Sequence, residues 1–170
     1  TRSILEVLSA AKHPAWIITK SALVERDLAL LLRMAGEKLV SVTFSFVTLD
    51  AEISRRLEPR AAAPSRRIEA IRRLSAAGVR VGVNVAPVIP FLTDAELESI
   101  LEAAVEAGAT HAGYTLLRLP WEVKDIFREW LERHYPLKAK HVMSRVHAMR
   151  GGRDNDPRFG SRMKGEGELA

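Results

Sequence analysis

The sequence predicts an α/β domain in which parallel strands are covered by helices. Strand-like and helix-like patterns alternate along the 170 residues, and alternation of this kind implies crossover connections and a parallel sheet. The strand-like runs are apolar on both faces, which fits a β/α barrel or a doubly wound sheet. The length and the 47% hydrophobic content suffice for one ordinary core, so we expect one main domain followed by a tail.

The first two helix–strand pairs are marked by breakers and caps. Apolar residues at helical spacing predict a first helix that stops before Pro14, and a short strand at 15–19 follows. Ser21 is a suitable N-cap for a second helix, which leads through Gly36 to a strand at 39–46.

The middle of the chain repeats this order. A short helix is predicted at 50–57, and a longer helix begins at Pro64 or Ser65, because proline is favoured in a first helical turn. Gly78 ends that helix as a residue suited to left-handed backbone, and the third strand runs over 79–88.

The last predicted elements again alternate between helix and strand. Thr93 and Glu96 have the spacing of a capping box, which predicts a helix over 94–107. A fourth strand is predicted at 111–119 and a long amphipathic helix at 120–135.

Polar residues stand at the carboxyl ends of these strands, where parallel α/β folds bind their ligands. Lys20 and Ser45 follow or end the first two strands, and Asn84 interrupts an apolar strand, so it needs a partner or points at a ligand in the lumen. Pro87 and Pro90 cannot both belong to a central ladder, so the third strand ends near them with free backbone groups.

The absence of cysteine excludes disulfides, thiolate metal sites and cysteine-bound iron–sulfur clusters within this chain. The five histidines show no metal-binding spacing. The apolar runs are shorter than the roughly 18 residues that span a bilayer, so we expect a soluble, cytoplasmic protein. The chain begins at Thr1, and we expect further sequence upstream.

Positive charge is concentrated at the carboxyl-terminal end. Residues 138–170 carry eight Lys or Arg against four Asp or Glu, a balance of +4 out of the total of +5. We therefore divide the chain into a barrel region at 1–137 and a basic extension at 138–170. Arg153, Arg158 and Arg162 are candidate contacts to phosphate, DNA or RNA, although a flexible terminus has the same composition.

Three stretches in the centre are distinctive: Arg56-Leu57-Glu58-Pro59, residues 64–71 and residues 74–90. Together they resemble the middle of the radical S-adenosylmethionine (radical SAM) barrel, in the branch related to spore photoproduct lyase and described as DNA repair photolyase-like. Residues 17–21 and 43–45 resemble the two preceding strands of the same branch. The resemblance covers about residues 2–135.

The resemblance implies roles for particular residues. Lys20 would bind the methionine carboxylate of S-adenosylmethionine, Ser45 would hydrogen-bond the same polar end, and the backbone of Ala86 would lie against the adenosyl part. An ion pair between Glu58 and Arg67 would fix the loop that follows the second strand.

The chain departs from the family in one respect. The CxxxCxxC loop that holds the [4Fe–4S] cluster is absent, and the first helix resembles the one that precedes the third family strand. The resemblance therefore implies a partial barrel whose first βα units and cluster loop are missing. On its own the chain should be inactive, and radical chemistry would belong to the parent protein with its S-adenosylmethionine and cluster.

Two other interpretations stay open. Lys20 could serve a conventional barrel enzyme through a Schiff base or a phosphate contact. Alternatively, the chain could be a non-catalytic fragment that binds nucleic acid through its basic extension. The sequence leaves the substrate open.

Overall fold

The computed structural model describes residues 1–159, 162–163 and 165–166 of the chain. Helices and strands alternate over most of this length. In chain order the elements are α1 (Arg2–Ala10), β1 (Ala15–Thr19), α2 (Leu28–Gly36), β2 (Val40–Phe46), α3 (Ala51–Leu57), α4 (Pro64–Ala76), β3 (Arg80–Val88), α5 (Leu97–Glu106), β4 (His111–Leu116), α6 (Val123–His134) and α7 (Pro136–Ala148). Short 3-10 helices at Ala22–Asp27 and Asp94–Glu96 lead into α2 and α5.

The four strands form one parallel sheet in the order β1-β2-β3-β4. This confirms the predicted fold class, with sequential strands adjacent and helices around them, and it is consistent with part of a radical-SAM-type barrel. The register is fixed by pairs such as Ile17 with Val42 and Phe44 with Val83.

The chain consists of two compact units. The first comprises Thr1–Val85 and Glu98–Gly113, and the second comprises Ala86–Leu97 and the described residues from Tyr114 onward. In the first unit, one face of the sheet and the helices around it supply a dry core: Leu30, Leu31, Met34, Val42, Phe44, Phe46, Ala70, Ile71, Leu74, Val81, Val83, Val85, Ile100 and Ala104. Each of the larger side chains, Val, Leu, Ile, Met and Phe, contributes about 1.5–3 kcal/mol when it is fully buried.

The second unit has a smaller core between α6 and α7. Phe127 and Leu131 on α6 are buried, as are Ala139, Val142 and Val146 on α7. The proposed boundary between 137 and 138 stays a prediction. None of the helices in the described part of the chain has the length and apolar character needed to cross a membrane.

Several local rules predicted element ends correctly. The Ser21 hydroxyl accepts a hydrogen bond from the Leu23 backbone N–H over 3.2 Å, as expected of an N-cap, although the first turns are 3-10. Gly78 has a φ of +92°, which confirms its role as the residue that ends α4. The strand predicted at 79–88 is β3, and Pro90 lies beyond its end.

Two local predictions are wrong. Thr93 forms no N-cap bond, and its hydroxyl instead accepts from the Ile89 backbone N–H over 3.1 Å. The fourth strand ends at Leu116 instead of 119, and α6 begins three residues later than predicted because Trp121 has left-handed backbone, with a φ of +47°.

Candidate functional site

One face of the sheet is polar at its centre, and we call it the polar face. Side chains alternate along strands, so residues that are partners in the register share a face. The pairs Trp16 with Ser41, Ile18 with Thr43, Ser41 with Arg80, Thr43 with Gly82 and Ser45 with Asn84 assign this face three hydroxyls and an amide. A fully packed parallel sheet is apolar on both faces, so these polar groups indicate a surface that meets a ligand or solvent.

A cluster of charged residues lies at the carboxyl end of β1 and β2. Lys20, directly after β1, forms an ion pair with Glu58, which follows α3. The other oxygen of the Glu58 carboxylate accepts from Arg67 Nη2 over 3.3 Å. The predicted Glu58–Arg67 ion pair is therefore present, and Glu58 lies between two cations.

Arg67 is the rigid member of this cluster. Its side chain is 0% exposed, and its Nε donates to the Ala62 carbonyl over 2.9 Å while Nη1 donates to the Ser45 carbonyl. Burial lowers the pKa of the Arg67 guanidinium, and the nearby Glu58 carboxylate opposes that shift. Arg67 thus ties the end of β2 to Glu58, which leaves Lys20, whose side chain is 39% exposed, as the accessible cation.

Ser45 and Asn84 are neighbours on the polar face beside this cluster. Neither the Ser45 hydroxyl nor the Asn84 amide has a hydrogen-bond partner among the described residues, although Ser45 is buried and Asn84 half-buried. Neither group is one of the fully buried polar atoms without a partner in the described residues, so both keep contact with solvent. This end of the polar face is therefore open to a polar ligand.

Ala86 lies one residue beyond the part of β3 that pairs with β2, since the pairing ends at Phe46 with Val85. It is the first residue of the second unit, and the Ala86–Pro87 peptide bond is cis. Of the predicted cofactor contacts, Lys20 and Ser45 thus fall in the first unit and Ala86 in the second.

Sequence reasoning missed a hydrogen-bonded group at the other end of the polar face. Trp16 Nε1 donates to Thr43 Oγ1 over 2.6 Å, and Thr43 Oγ1 lies 3.2 Å from His111 Nε2. The opposite ring nitrogen of His111 lies 3.4 Å from Thr110 Oγ1, whose hydroxyl donates to the Val81 carbonyl. The alternation of hydroxyl residues along β2 was the signal that could have found it.

The hydrogen bonds around His111 favour one neutral tautomer. Thr43 accepts from Trp16, so its own hydroxyl hydrogen is available to His111 Nε2, and Nδ1–H then faces Thr110. Burial lowers the pKa of His111, and the positive charge of Arg80 lowers it further. This imidazole is consequently a structural acceptor at neutral pH.

The predicted substrate arginines belong to the second unit and differ from one another. The Arg158 guanidinium already has anionic partners within the chain: it donates two hydrogen bonds to Asp156 and forms an ion pair with Glu166. These interactions raise the pKa of Arg158. Arg162 stacks its guanidinium over Phe159, and Arg153 is exposed. The rest of the basic extension is described only in part.

The described residues contain no group of three or more His, Cys, Asp and Glu side chains that could hold a metal ion. The chain has no cysteine, so its residues do not fit a [4Fe–4S] cluster. The zwitterionic end of S-adenosylmethionine, in contrast, fits Lys20 together with the unpartnered Ser45 and Asn84.

Comparison with known proteins gives a family match. The family model of the Radical SAM superfamily matches residues 2–104. Uncharacterized protein Rv2578c of Mycobacterium tuberculosis (strain ATCC 25618 / H37Rv) and uncharacterized protein Mb2609c of Mycobacterium bovis are each 36% identical over 135 residues. Those alignments cover 78% of this chain and 40% of each relative.

A viral protein is also similar. Uncharacterized protein ORF301 of Acidianus two-tailed virus is 38% identical over 90 residues, which are 53% of this chain and 29% of the viral protein. The matched part of this chain therefore spans 40% of the length of the mycobacterial relatives and 29% of the viral one. No solved structure matches the chain.

Proposed function

The chain belongs to the radical SAM superfamily, and from that premise we propose that it binds S-adenosylmethionine at the carboxyl end of β1–β3, as part of a radical SAM enzyme. One observation supports this most strongly. Ser45 and Asn84 are adjacent polar groups without partners among the described residues, and they lie beside an accessible lysine. A ligand with a carboxylate, an ammonium group and further polar atoms matches that set.

Each residue has a distinct task in the proposed site. The Lys20 ammonium has three donors, of which Glu58 takes one, so the ligand carboxylate accepts another. The Asn84 side-chain oxygen accepts from the ligand ammonium, and the Ser45 hydroxyl donates to the carboxylate. Arg67 and Glu58 act as positioning residues, because they hold Ser45 and Lys20 without contact to the ligand.

The contact between the Ala86 backbone and the adenosyl part of the ligand stays a prediction, because Ala86 belongs to the second unit.

S-adenosylmethionine supplies radical chemistry in this superfamily when it receives an electron from an iron–sulfur cluster. This chain offers no cysteine for such a cluster, so we assign it ligand binding and orientation but no electron transfer. The relation to spore photoproduct lyase within the superfamily stays a prediction.

The Schiff-base alternative for Lys20 is less well supported. That chemistry uses a neutral amine in an apolar pocket or beside another cation. Lys20 instead faces the Glu58 carboxylate, which suits a lysine that acts through its charge.

Contact with a phosphate-rich polymer is a second candidate function, carried by the second unit. Phe159 is 92% exposed, and the Arg162 guanidinium lies 5.2 Å from its ring centroid. Exposed aromatic rings combined with arginine are typical of surfaces that bind single-stranded nucleic acid. Arg153 is exposed in the same unit and adds a further positive charge.

The S-adenosylmethionine proposal is tested by ligand-observed NMR, which detects weak binding. We expect weak binding to this chain, because the cluster that also holds the ligand in this superfamily is absent. Lys20→Ala should weaken it roughly tenfold or more, since a hydrogen bond to a charged group contributes about 1.5–3 kcal/mol.

Lys12→Ala is the matched control. Lys12 is an exposed lysine of the same unit that, like Lys20, forms an ion pair with a glutamate, and it lies before the amino end of β1, so its removal should leave S-adenosylmethionine affinity unchanged. Equal affinities of the wild-type chain and the Lys20→Ala variant would contradict the proposed site.

A further inference from the structure

A cavity of about 570 Å³ lies in the first unit at the amino-terminal ends of the strands. Trp16, Lys38, Ser41 and Arg80 are the side chains of its lining that carry an aromatic ring, a hydroxyl or a charge, and no acidic residue lines it. Its volume is within the range of about 300–1,000 Å³ that small-molecule sites occupy. The proposed S-adenosylmethionine site uses the opposite ends of the same strands.

Three of these residues form one row across the sheet. Trp16 is the register partner of Ser41, and Ser41 is the register partner of Arg80. Neighbouring strands are about 4.8 Å apart, so the three side chains project side by side from the polar face. The row therefore places a ring and a guanidinium within reach of one small ligand, on either side of Ser41, whose hydroxyl lies 3.5 Å from His111 Nε2.

Trp16 presents its ring in a fixed orientation. The residue is 66% exposed, yet its indole N–H donates to Thr43 Oγ1 over 2.6 Å. The Thr43 hydroxyl is itself 3.2 Å from His111 Nε2, so the ring is anchored at its polar edge while its surface stays accessible. An anchored, exposed aromatic ring loses little conformational entropy when a planar ligand stacks on it.

The two cations are uncompensated. Lys38 and Arg80 are exposed, and neither forms an ion pair within the described ranges 1–159, 162–163 and 165–166. Lys38 precedes β2 in left-handed backbone, with a φ of +59°, and its backbone N–H donates to the Ala35 carbonyl over 2.9 Å. The cavity thus carries two positive charges and no negative one.

We propose that this cavity binds a planar ligand that bears an anionic group, such as a mononucleotide. The ring stacks on Trp16, and the anionic group lies between Lys38 and Arg80. The inference rests on the cavity and the sheet register, and it does not depend on the S-adenosylmethionine proposal.

The test is a titration of the 170-residue chain with three probes: adenosine 5′-monophosphate, adenosine and inorganic phosphate. We expect the monophosphate to bind at least tenfold more tightly than either part alone, because only it uses both the ring and the cations. Comparable affinity of the monophosphate and inorganic phosphate would reduce the site to a general anion contact and overturn the proposal.

Variants assign the contacts. Arg80→Gln and Lys38→Ala should each weaken binding of the monophosphate about tenfold, and Trp16→Leu should have a similar effect. Arg33→Gln is the matched control, because Arg33 is an exposed arginine on α2 that does not line the cavity. If Trp16→Leu disturbs folding, Trp16→Phe keeps a ring and should retain most of the affinity.

Lys20→Ala separates this proposal from the other site. It should leave the affinity for adenosine 5′-monophosphate unchanged while it weakens binding of S-adenosylmethionine. Unaltered monophosphate binding in both Arg80→Gln and Lys38→Ala, or the absence of binding at millimolar concentration, would contradict the cavity assignment.

The pKa of His111 provides a further test, because ligand binding should change it only if Arg80 contacts the anion. Burial lowers the pKa of His111 and the charge of Arg80 lowers it further, so an anion bound at Arg80 should offset the second effect and raise the pKa. We expect NMR titration of His111 to show this rise with adenosine 5′-monophosphate and to show no ligand effect in Arg80→Gln. A His111 pKa that does not respond to the ligand would contradict the placement of the anion.

Discussion

Gly82 on β3 lies against the imidazole of His111 on β4, at a position where a Cβ atom would overlap the ring. Glycine at 82 therefore makes room for the ring, which bonds to Thr43 on β2. Because Thr43 also accepts from Trp16, a missing side chain on β3 determines where an aromatic ring on β1 is anchored. The two ends of the polar face therefore differ. The Trp16 ring is anchored at one end, and polar groups without partners among the described residues lie at the other.

Gly82→Ala should destabilise the fold by about 1–3 kcal/mol, because the added methyl group displaces His111. The cost should shrink in a His111→Ala background, where the ring is absent. Chemical denaturation of the four proteins of this double-mutant cycle measures the coupling, which we expect to exceed about 0.5 kcal/mol. Gly113→Ala is the control, since a Cβ there meets Asn84 Oδ1 at an ordinary 3.5 Å. An equal cost of Gly82→Ala in both backgrounds would contradict the contact.

His111 should make stability depend on pH. Its pKa is lowered in the folded state, so the unfolded chain binds more protons just below the ordinary value of about 6.5. Stability should therefore fall as the pH decreases through that region. The His111→Gln variant should show a flatter profile in denaturation series between about pH 5 and 8. Profiles of the same slope in both proteins would show that His111 contributes nothing to the dependence.

Arg67→Ala should be strongly destabilising, by about 3–5 kcal/mol, because it removes the donor to the Ser45 carbonyl and leaves the largely buried Glu58 carboxylate with Lys20 as its one cation. Arg72→Ala on the same helix removes an exposed contact with Glu69 and should cost far less. Urea denaturation measures both. Similar losses in the two variants would mean that the buried cluster is energetically unimportant.

The arginines of the second unit should contribute unequally to any binding of nucleic acid. Arg158 is neutralised by Asp156 and Glu166, whereas Arg153 is exposed. Arg153→Ala should reduce the salt dependence of binding by about one unit of log–log slope, and Arg158→Ala should change it less. Fluorescence anisotropy with labelled single-stranded DNA and RNA measures this. A triple Arg153, Arg158 and Arg162 to Ala variant with unchanged affinity and slope would remove the nucleic-acid assignment.

Local signals predicted much of the fold. Periodicity and caps such as Ser21 and Gly78 placed the strands within a few residues, because those signals depend on neighbours along the chain. The capping box predicted at Thr93 was wrong because the Thr93 hydroxyl can accept either from the helix backbone or from the Ile89 N–H. The spacing in the sequence alone cannot show that it accepts from Ile89. The left-handed turn at Trp121 has no sequence marker, since glycine is the residue expected there.

The candidate site was predictable in part. Asn84 stood out as a polar residue in an apolar strand, and strand ends indicated Lys20 and Ser45. The pairing of Lys20 with Glu58 joins residues 38 positions apart, and the His111 group joins three strands and the residue before β4. Contacts of that kind depend on register, which becomes available only with the folded sheet.

The central claim, that S-adenosylmethionine binds at the carboxyl end of the polar face, is tested most directly by protein-observed NMR. The ¹⁵N-labelled chain is titrated with S-adenosylmethionine, and shifts are mapped onto assigned backbone and side-chain amides. We predict the largest shifts at Lys20, Ser45 and the Asn84 side-chain amide, with the signals of Lys38 and Arg80 unchanged. Shifts confined to the amino-terminal end of the strands, or no shifts at Ser45 and Asn84 at saturating ligand, would contradict it.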